Sequence, residues 1–336
     1  MITIDERKQK WLDLYEGKVR TVVLIETISE KRPNQSSADD TKSFIEWSVR
    51  NYRIRMDNLS WLDDDMVPYI SALTGTEIFA GAFGCPVHYP DDNMPYARPL
   101  IFNSKEMAKV RKPVLENSSL MKLFELGQKL HAAAPEALIQ LPDIQSPLDI
   151  AALIWEKGDF FMAMYDEPQA VKDLISMVHA LLTEFLDLWF KTFGKSFISH
   201  YPWYYMPYGI TLSEDEIGSI NTDLFREFSW QSLCDLSARY GNMIGIHCCA
   251  KAKHQWKLLK EIPGLMLLNL GQPDQIIRDA SRYFKDGPPI WADMRQNECH
   301  DFRSRAVLHG KAGNRQEALD ELQRLREYSE QFRAAV

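Results

Sequence analysis

The sequence has no run of 18 or more apolar residues, roughly the length a membrane-spanning helix needs. It also has no basic amphipathic stretch suited to a membrane surface. Positive charge is in deficit: 39 Lys and Arg stand against 47 Asp and Glu, a net charge of −8. Nucleic-acid binding depends on clustered cations meeting phosphates, so the balance argues against such a partner. Cysteine is sparse, with five residues, and two of them are adjacent. An odd, partly adjacent set is a poor disulfide framework for a chain of this length. Residues 1–8 contain none of the apolar core of a signal peptide, and the expected compartment is the cytoplasm. There is neither an internal repeat nor a low-complexity tract.

What is present is ordinary globular material, 45% hydrophobic and 26% charged over 336 residues. That length suits one large α/β domain or two smaller ones. Residues 5–16 read as a helix and residues 20–28, rich in β-branched side chains, as a strand. A polar loop over 29–41 and an aromatic-rich helix over 42–60 follow. Between residues 64 and 95 the density of Pro, Gly and Asp marks turns and a hairpin-like excursion. Residues 104–133 read as helix with a break near Pro113. Further strands are expected at 137–141, 196–200, 242–249, 265–270 and 289–294. Helices are expected between them and from 315 to 332. Asp166 is placed as the N-cap of a long helix that starts with Pro168 and runs to about Lys191. From residue 137 onward strand and helix alternate without a linker, the signature of βα units on a parallel sheet. The expectation is a single α/β domain over residues 1–336, a (β/α)8 TIM-type barrel. Residues 1–135 carry the first strand and a helical and hairpin decoration, and 136–336 the regular βα units. No strand is read after 294, which leaves the last barrel strand incomplete or atypical.

The most informative stretch is residues 242–250, Asn-Met-Ile-Gly-Ile-His-Cys-Cys-Ala. It starts as a short apolar strand and ends in a histidine and two cysteines. In an α/β barrel the chemistry collects where strands end. His247 and Cys249 lie two apart, so on an extended backbone both point the same way. Imidazole and thiolate are borderline-soft ligands suited to zinc. The plain alternative is a buried thiol pair beside a core histidine. Other polar residues fall near expected strand ends: Glu26, Asp143, Gln145, His200, Asp215, Glu216, Asn269 and Asp293. The aromatic cluster Tyr201, Trp203 and Tyr205 follows the 196–200 strand and reads as packing or as the wall of a substrate site.

Several segments together resemble the uroporphyrinogen decarboxylase superfamily, over most of the chain from about residue 60. They are Gly75 to Gly84 with the Asp91-Asp92 and Pro95 loop, Asp143-Ile-Gln-Ser-Pro-Leu-Asp-Ile-Ala151, Met164-Tyr-Asp-Glu-Pro-Gln-Ala-Val171, and Asp215-Glu216 running to Phe225-Arg-Glu-Phe228. The resemblance implies a barrel fold and one of two chemistries. Decarboxylases of the superfamily carry an arginine-rich segment after the first strand for substrate carboxylates. Here that place reads Ile25-Glu-Thr-Ile-Ser-Glu30, acidic where the decarboxylase is basic. The other branch holds zinc methyltransferases that work with cobalamin, and His247-Cys248-Cys249 is similar to their His-x-Cys.

Their third cysteine, near the C-terminus, has no counterpart at its usual place. Cys299 is the expected substitute, giving His247, Cys249 and Cys299 as metal ligands. A second set, Glu216, Glu227 and His247, follows ether-cleaving relatives that bind zinc through carboxylates. The implied function is transfer of a methyl group between a small methylated substrate or thiol and a corrinoid protein, with zinc activating the heteroatom. On that reading Asp143, Asp215 and Glu216 are the catalytic candidates. Glu26, Gln145, His200, Tyr201, Trp203, Tyr205, Asn269 and Asp293 would bind substrate. Zinc and cobalamin are the expected cofactors. The expected partners are a small methyl donor or acceptor and a corrinoid protein, with a homodimer as one arrangement. The alternatives are a metal-free lyase acting on a carboxylic acid and a non-catalytic protein that docks a corrinoid partner.

Overall fold

A computed structural model describes residues 1–27, 41–72, 74–90, 93–293 and 302–333. Eight short strands carry the architecture: β1 (Thr21–Thr27), β2 (Tyr69–Ile70), β3 (Leu138–Ile139), β4 (Ile210–Ser213), β5 (Ile244–Cys248), β6 (Leu265–Leu270), β7 (Ile290–Asp293) and β8 (Ala306–Ala312). Six form one parallel sheet in the order β1-β8-β7-β6-β5-β4. The other two complete the ring. β2 pairs β3 in parallel, and beyond β3 the backbone of Gln145 bridges Ser213 of β4. The N–H of Asp65, just before β2, donates to Val23 O on β1 at 2.8 Å. This is the expected α/β barrel.

The closing seam between β1 and β2 is made largely by side chains. Asp65 Oδ2 accepts the Val23 N–H at 2.7 Å and Asp64 Oδ2 accepts the Ile25 N–H at 3.0 Å. Two buried carboxylates thus do the work of a strand backbone, and they need counter-charge. The N-terminal helix Ile4–Tyr15 supplies it: Arg7 lies 2.5 Å from Asp64 and Lys10 2.6 Å from Asp65. Trp11 adds an indole N–H to Asp65 O at 3.0 Å. That helix begins with a capping box, Thr3 and Glu6 satisfying each other's backbone N–H groups.

Val22 to Ile25 on β1 are all buried, as a near-continuous apolar run in a parallel sheet should be. Outside the ring the longest helix is Pro168–Phe193. Its buried face repeats at three and four residues, from Val171 and Leu174 to Leu186 and Trp189. Proline opens it, its missing N–H costing nothing in the first turn. Asp166 is not its cap but the last residue of the preceding helix Lys157–Asp166, and Glu167 occupies the cap position.

Two strands depart from the sequence reading. β8 pairs with β1 over seven residues, from Thr21↔Ala306 to Thr27↔Ala312, so the barrel has a full last strand before the helix Arg315–Arg333. Phe197–Ile198 forms an antiparallel pair with Tyr205–Met206 and makes one bridge, from Ile198 to Gln140 just after β3; the fourth barrel strand is Ile210–Ser213 instead. The expected hairpin excursion is present, Val87–His88 pairing with Tyr96–Ala97. The loop over 29–40, the Asp91-Asp92 pair and Cys299 lie outside the described residues. Among the described residues no helix is long and apolar enough to cross a membrane.

Candidate metal centre

Parallel register sets the inner wall of the barrel. Ser213, His247 and Asn269 lie side by side on β4, β5 and β6, so their side chains share one face. One step beyond, Asp215, His247 and Cys249 bring a carboxylate oxygen, an imidazole nitrogen and a thiol sulfur within 4.8 Å of one another. No other such trio of His, Cys, Asp and Glu forms among the described residues. Oxygen, nitrogen and sulfur donors from two adjacent strand ends suit a borderline cation such as zinc, and three protein ligands leave a position open.

The surroundings orient these donors. His247 Nδ1 is hydrogen-bonded to Asn269 Oδ1. With the Asn269 amide oxygen as acceptor, Nδ1 carries the proton and Nε2 keeps a free lone pair, the arrangement that fixes metal-binding histidines. Asp215 Oδ1 accepts the backbone N–H of Cys249 at 2.5 Å, tying the two ligand-bearing turns together. The carboxylate of Asp149, in the first turn of the helix Pro147–Ile154, accepts the N–H groups of Asp215 at 2.7 Å and Glu216 at 2.9 Å. A Cβ at Gly271 would come within 3.0 Å of Cys249 Cβ and 3.2 Å of its Cα. The residue after β6 is therefore glycine where Cys249 packs closest.

Electrostatically the centre is acidic. Cys249 is exposed, yet partial desolvation, and then the neighbouring Asp215 carboxylate, push its thiol up to about 11. Burial also holds Asp149 and Glu214 well above the usual carboxylate range, with Glu214 at about 8. Glu214 is fully buried behind β4 and accepts the Ser229 hydroxyl at 2.8 Å. Ser229 sits in the π-helical turn Arg226–Trp230, which interrupts the helix from Thr222 to Arg239 that the sequence reads as continuous.

A cavity of about 320 Å³ runs from the barrel interior between β1 and β2 to the helix Thr41–Asn58. His200 and Tyr201 line both this cavity and a cleft at Ser213, His247 and Asn269. They belong to the turn between Phe197–Ile198 and Tyr205–Met206, which contains the cis Tyr201–Pro202 peptide. The Tyr201 ring stands edge-on to His247 at 5.9 Å and to Trp291 at 5.1 Å, and Trp203 packs on His309 at 5.6 Å.

The sequence-derived residues fall into three groups. Glu26, Asp143, His200, Tyr201, Trp203 and Asn269 reach the cavity or the cleft. Glu26 shares its charge with Lys311 at 3.3 Å and His309 at 3.6 Å, and Asp143 lies 3.6 Å from His200. Gln145 is buried beside Ser213, and Asp293 ends β7 in register with His309. Asp215 joins His247 and Cys249 as a donor, where the sequence reading made it an acid.

A second group does not reach the site. Tyr205 lines neither space: it is buried against the N-terminal helix, its carbonyl accepting the Tyr15 hydroxyl at 2.5 Å. Glu216 pairs with Lys157 and Glu227 with Lys172, each at 2.6 Å. The carboxylate set Glu216, Glu227 and His247 is therefore not assembled. Cys299 is the third case, outside the described residues. Asp149 and Trp291 were missed by sequence reading. A helix-start aspartate and a strand tryptophan carry no signal that separates them from caps and core.

A parallel barrel with polar residues converging at the C-terminal strand ends has the layout of a TIM-barrel enzyme. Residues 63–198 match the family model described as uroporphyrinogen decarboxylase (URO-D). A methyltransferase from Methanosarcina mazei has a similar fold, with a TM-score of 0.67 over 99% of both chains at 10% sequence identity. Proline Utilization A (PutA) from Corynebacterium freiburgense superposes on 98% of this chain and 31% of its own at a TM-score of only 0.35 and 10% identity. Comparison with curated proteins gives no match. The segment match agrees with the resemblance seen in the sequence, and the whole-length likeness shows the fold.

Proposed function

We propose that the chain is a methyltransferase that exchanges a methyl group between a small substrate and a corrinoid protein, with zinc held by Asp215, His247 and Cys249. The observation that carries this reading is the assembly of those three donors at the strand ends, with His247 oriented by Asn269. Zinc bound there would supply a Lewis acid for the substrate heteroatom. A corrinoid, approaching the barrel mouth on its own protein, would carry the methyl group.

The chain's own residues do the rest. Asn269 fixes the His247 tautomer, and Asp149 fixes the turn that presents Asp215. Partial burial and the Asp215 carboxylate keep the Cys249 thiol protonated until a cation displaces that proton. Tyr201 and His200 separate the metal-side cleft from the larger cavity, which is sized for the body of a small substrate.

The test is methyl exchange with free methylcobalamin and a small thiol, followed by the change in visible absorption as the corrinoid loses its methyl group. Turnover by the zinc-loaded wild type, and its loss in His247→Ala, is expected. Equal turnover in both would remove the metal centre from the reaction.

A further inference from the structure

The cleft at Ser213, His247 and Asn269 is small, about 20 Å³, and Tyr204, Asp143 and Thr211 complete its polar wall. Two buried groups on that wall have no hydrogen-bond partner among the described residues. Asn269 is 1% exposed; one end of its amide is used by His247, and the other, Nδ2, is unpartnered. Tyr204 is 2% exposed, and its hydroxyl is likewise unpartnered. Tyr204 is also held in place. Its backbone N–H donates to Ser199 Oγ at 2.9 Å and to Pro202 O at 2.7 Å, and its ring stands edge-on to Trp11 at 5.7 Å.

Leaving two buried polar groups unsatisfied is costly in a folded protein, and such orphans call for an explanation. The size of the cleft supplies one. A water molecule needs a space of about 10–15 Å³ and roughly two to four polar partners. The cleft has room for one water and for little else. Its chemistry fits as well. Burial pushes the Tyr204 hydroxyl well above its ordinary range, so it keeps its proton. A water can accept from Asn269 and from Tyr204 and still donate twice. The Asp143 carboxylate and the Thr211 and Ser213 hydroxyls line the same space as acceptors.

We infer that the cleft holds one ordered water bound by Asn269 and Tyr204, and that through it Tyr204 is a positioning residue for His247. The consequence for the metal rests on the zinc reading above; the water itself does not. The contacts run from the Tyr204 hydroxyl to the water, from the water to Asn269 Nδ2, and from Asn269 Oδ1 to His247 Nδ1. An amide fixed at one end can still turn about its last side-chain bond. Fixed at both ends, it holds the imidazole and keeps Nε2 aimed at the position shared with Asp215 and Cys249. Tyr204 therefore acts on the metal centre without supplying a ligand.

The experiment pairs crystal structures of metal-free wild type and Tyr204→Phe, at a resolution that shows ordered water, with the zinc affinity of both. Competition with a chelating indicator reads the affinity. Wild type is expected to show one water within about 3.2 Å of both the Tyr204 hydroxyl and the Asn269 amide. Tyr204→Phe keeps the ring against Trp11 and removes only the oxygen. It should lose that water and bind zinc severalfold more weakly, less than the roughly 10–100-fold of a partner directly on the ligand. A role confined to packing would lower the melting temperature and leave the zinc affinity unchanged. Wild type without a water at that place, or Tyr204→Phe with unchanged zinc affinity, would overturn the inference. Wild type that holds the water but takes up no zinc would overturn the metal reading and leave the water site standing.

Discussion

At the residue scale the centre depends on orientation as much as on its donors. The Asn269 oxygen locks His247 into the tautomer that leaves Nε2 free. Asn269→Ala should therefore lower metal affinity about 10–100-fold, the usual cost of losing such an outer partner. Competition with a chelating indicator would read this, and an unchanged affinity would show that the hydrogen bond does not orient the ligand. Glu214 offers a pH test. Burial raises its carboxyl from the ordinary 4.5 to about 8. Between those values the folded chain holds a proton that the unfolded chain has released, so stability falls as pH rises through that window. Glu214→Gln cannot release a proton. In metal-free protein its melting temperature relative to wild type should improve from pH 5 to pH 8.5. A constant difference would place the Glu214 titration elsewhere.

Elements show where the sequence was legible. β1 and β6 announce themselves as mostly apolar runs because both faces of a parallel strand are buried. β8 does not: His309, Gly310 and Lys311 break its run. Register shows why, since His309 and Lys311 face inward to reach Glu26, while a Cβ at Gly310 would meet the Glu321 side chain at 2.5 Å. Polar residues inside the barrel made a genuine strand look like a loop. β4 was lost for another reason, being four residues long and preceded by an aromatic hairpin with the stronger strand signal. The β1–β2 seam was equally hidden, because carboxylates standing in for backbone acceptors leave no periodic trace. Arg7 is 1% exposed and its partner Asp64 3%. Arg7→Met strands that buried carboxylate and should cost about 3–5 kcal/mol, as breaking buried pairs does. Urea denaturation at pH 7 would measure it. A loss below about 1 kcal/mol would mean that Asp64 is not charged in the fold.

On the scale of the whole molecule, the barrel class followed from the alternation of strand and helix, and the site's position from His247 and Cys249 at a strand end. The third donor did not. Asp215 follows a different strand, 32 residues before His247 in the chain, and only the parallel pairing of β4 with β5 brings them together. Sequence spacing finds ligands that share a strand and misses those that share a register. The same limit applies to Asn269, which meets His247 only when β6 pairs with β5.

The central claim is that Asp215, His247 and Cys249 hold a metal ion. Its most direct test is the zinc content of untagged protein, for wild type and for Asp215→Ala, His247→Ala and Cys249→Ala. About one zinc per chain in wild type, lost or sharply reduced in all three variants, is the expected result. Wild type that neither contains zinc nor takes it up on addition would contradict the claim, and zinc retained in Asp215→Ala would return the third ligand to Cys299.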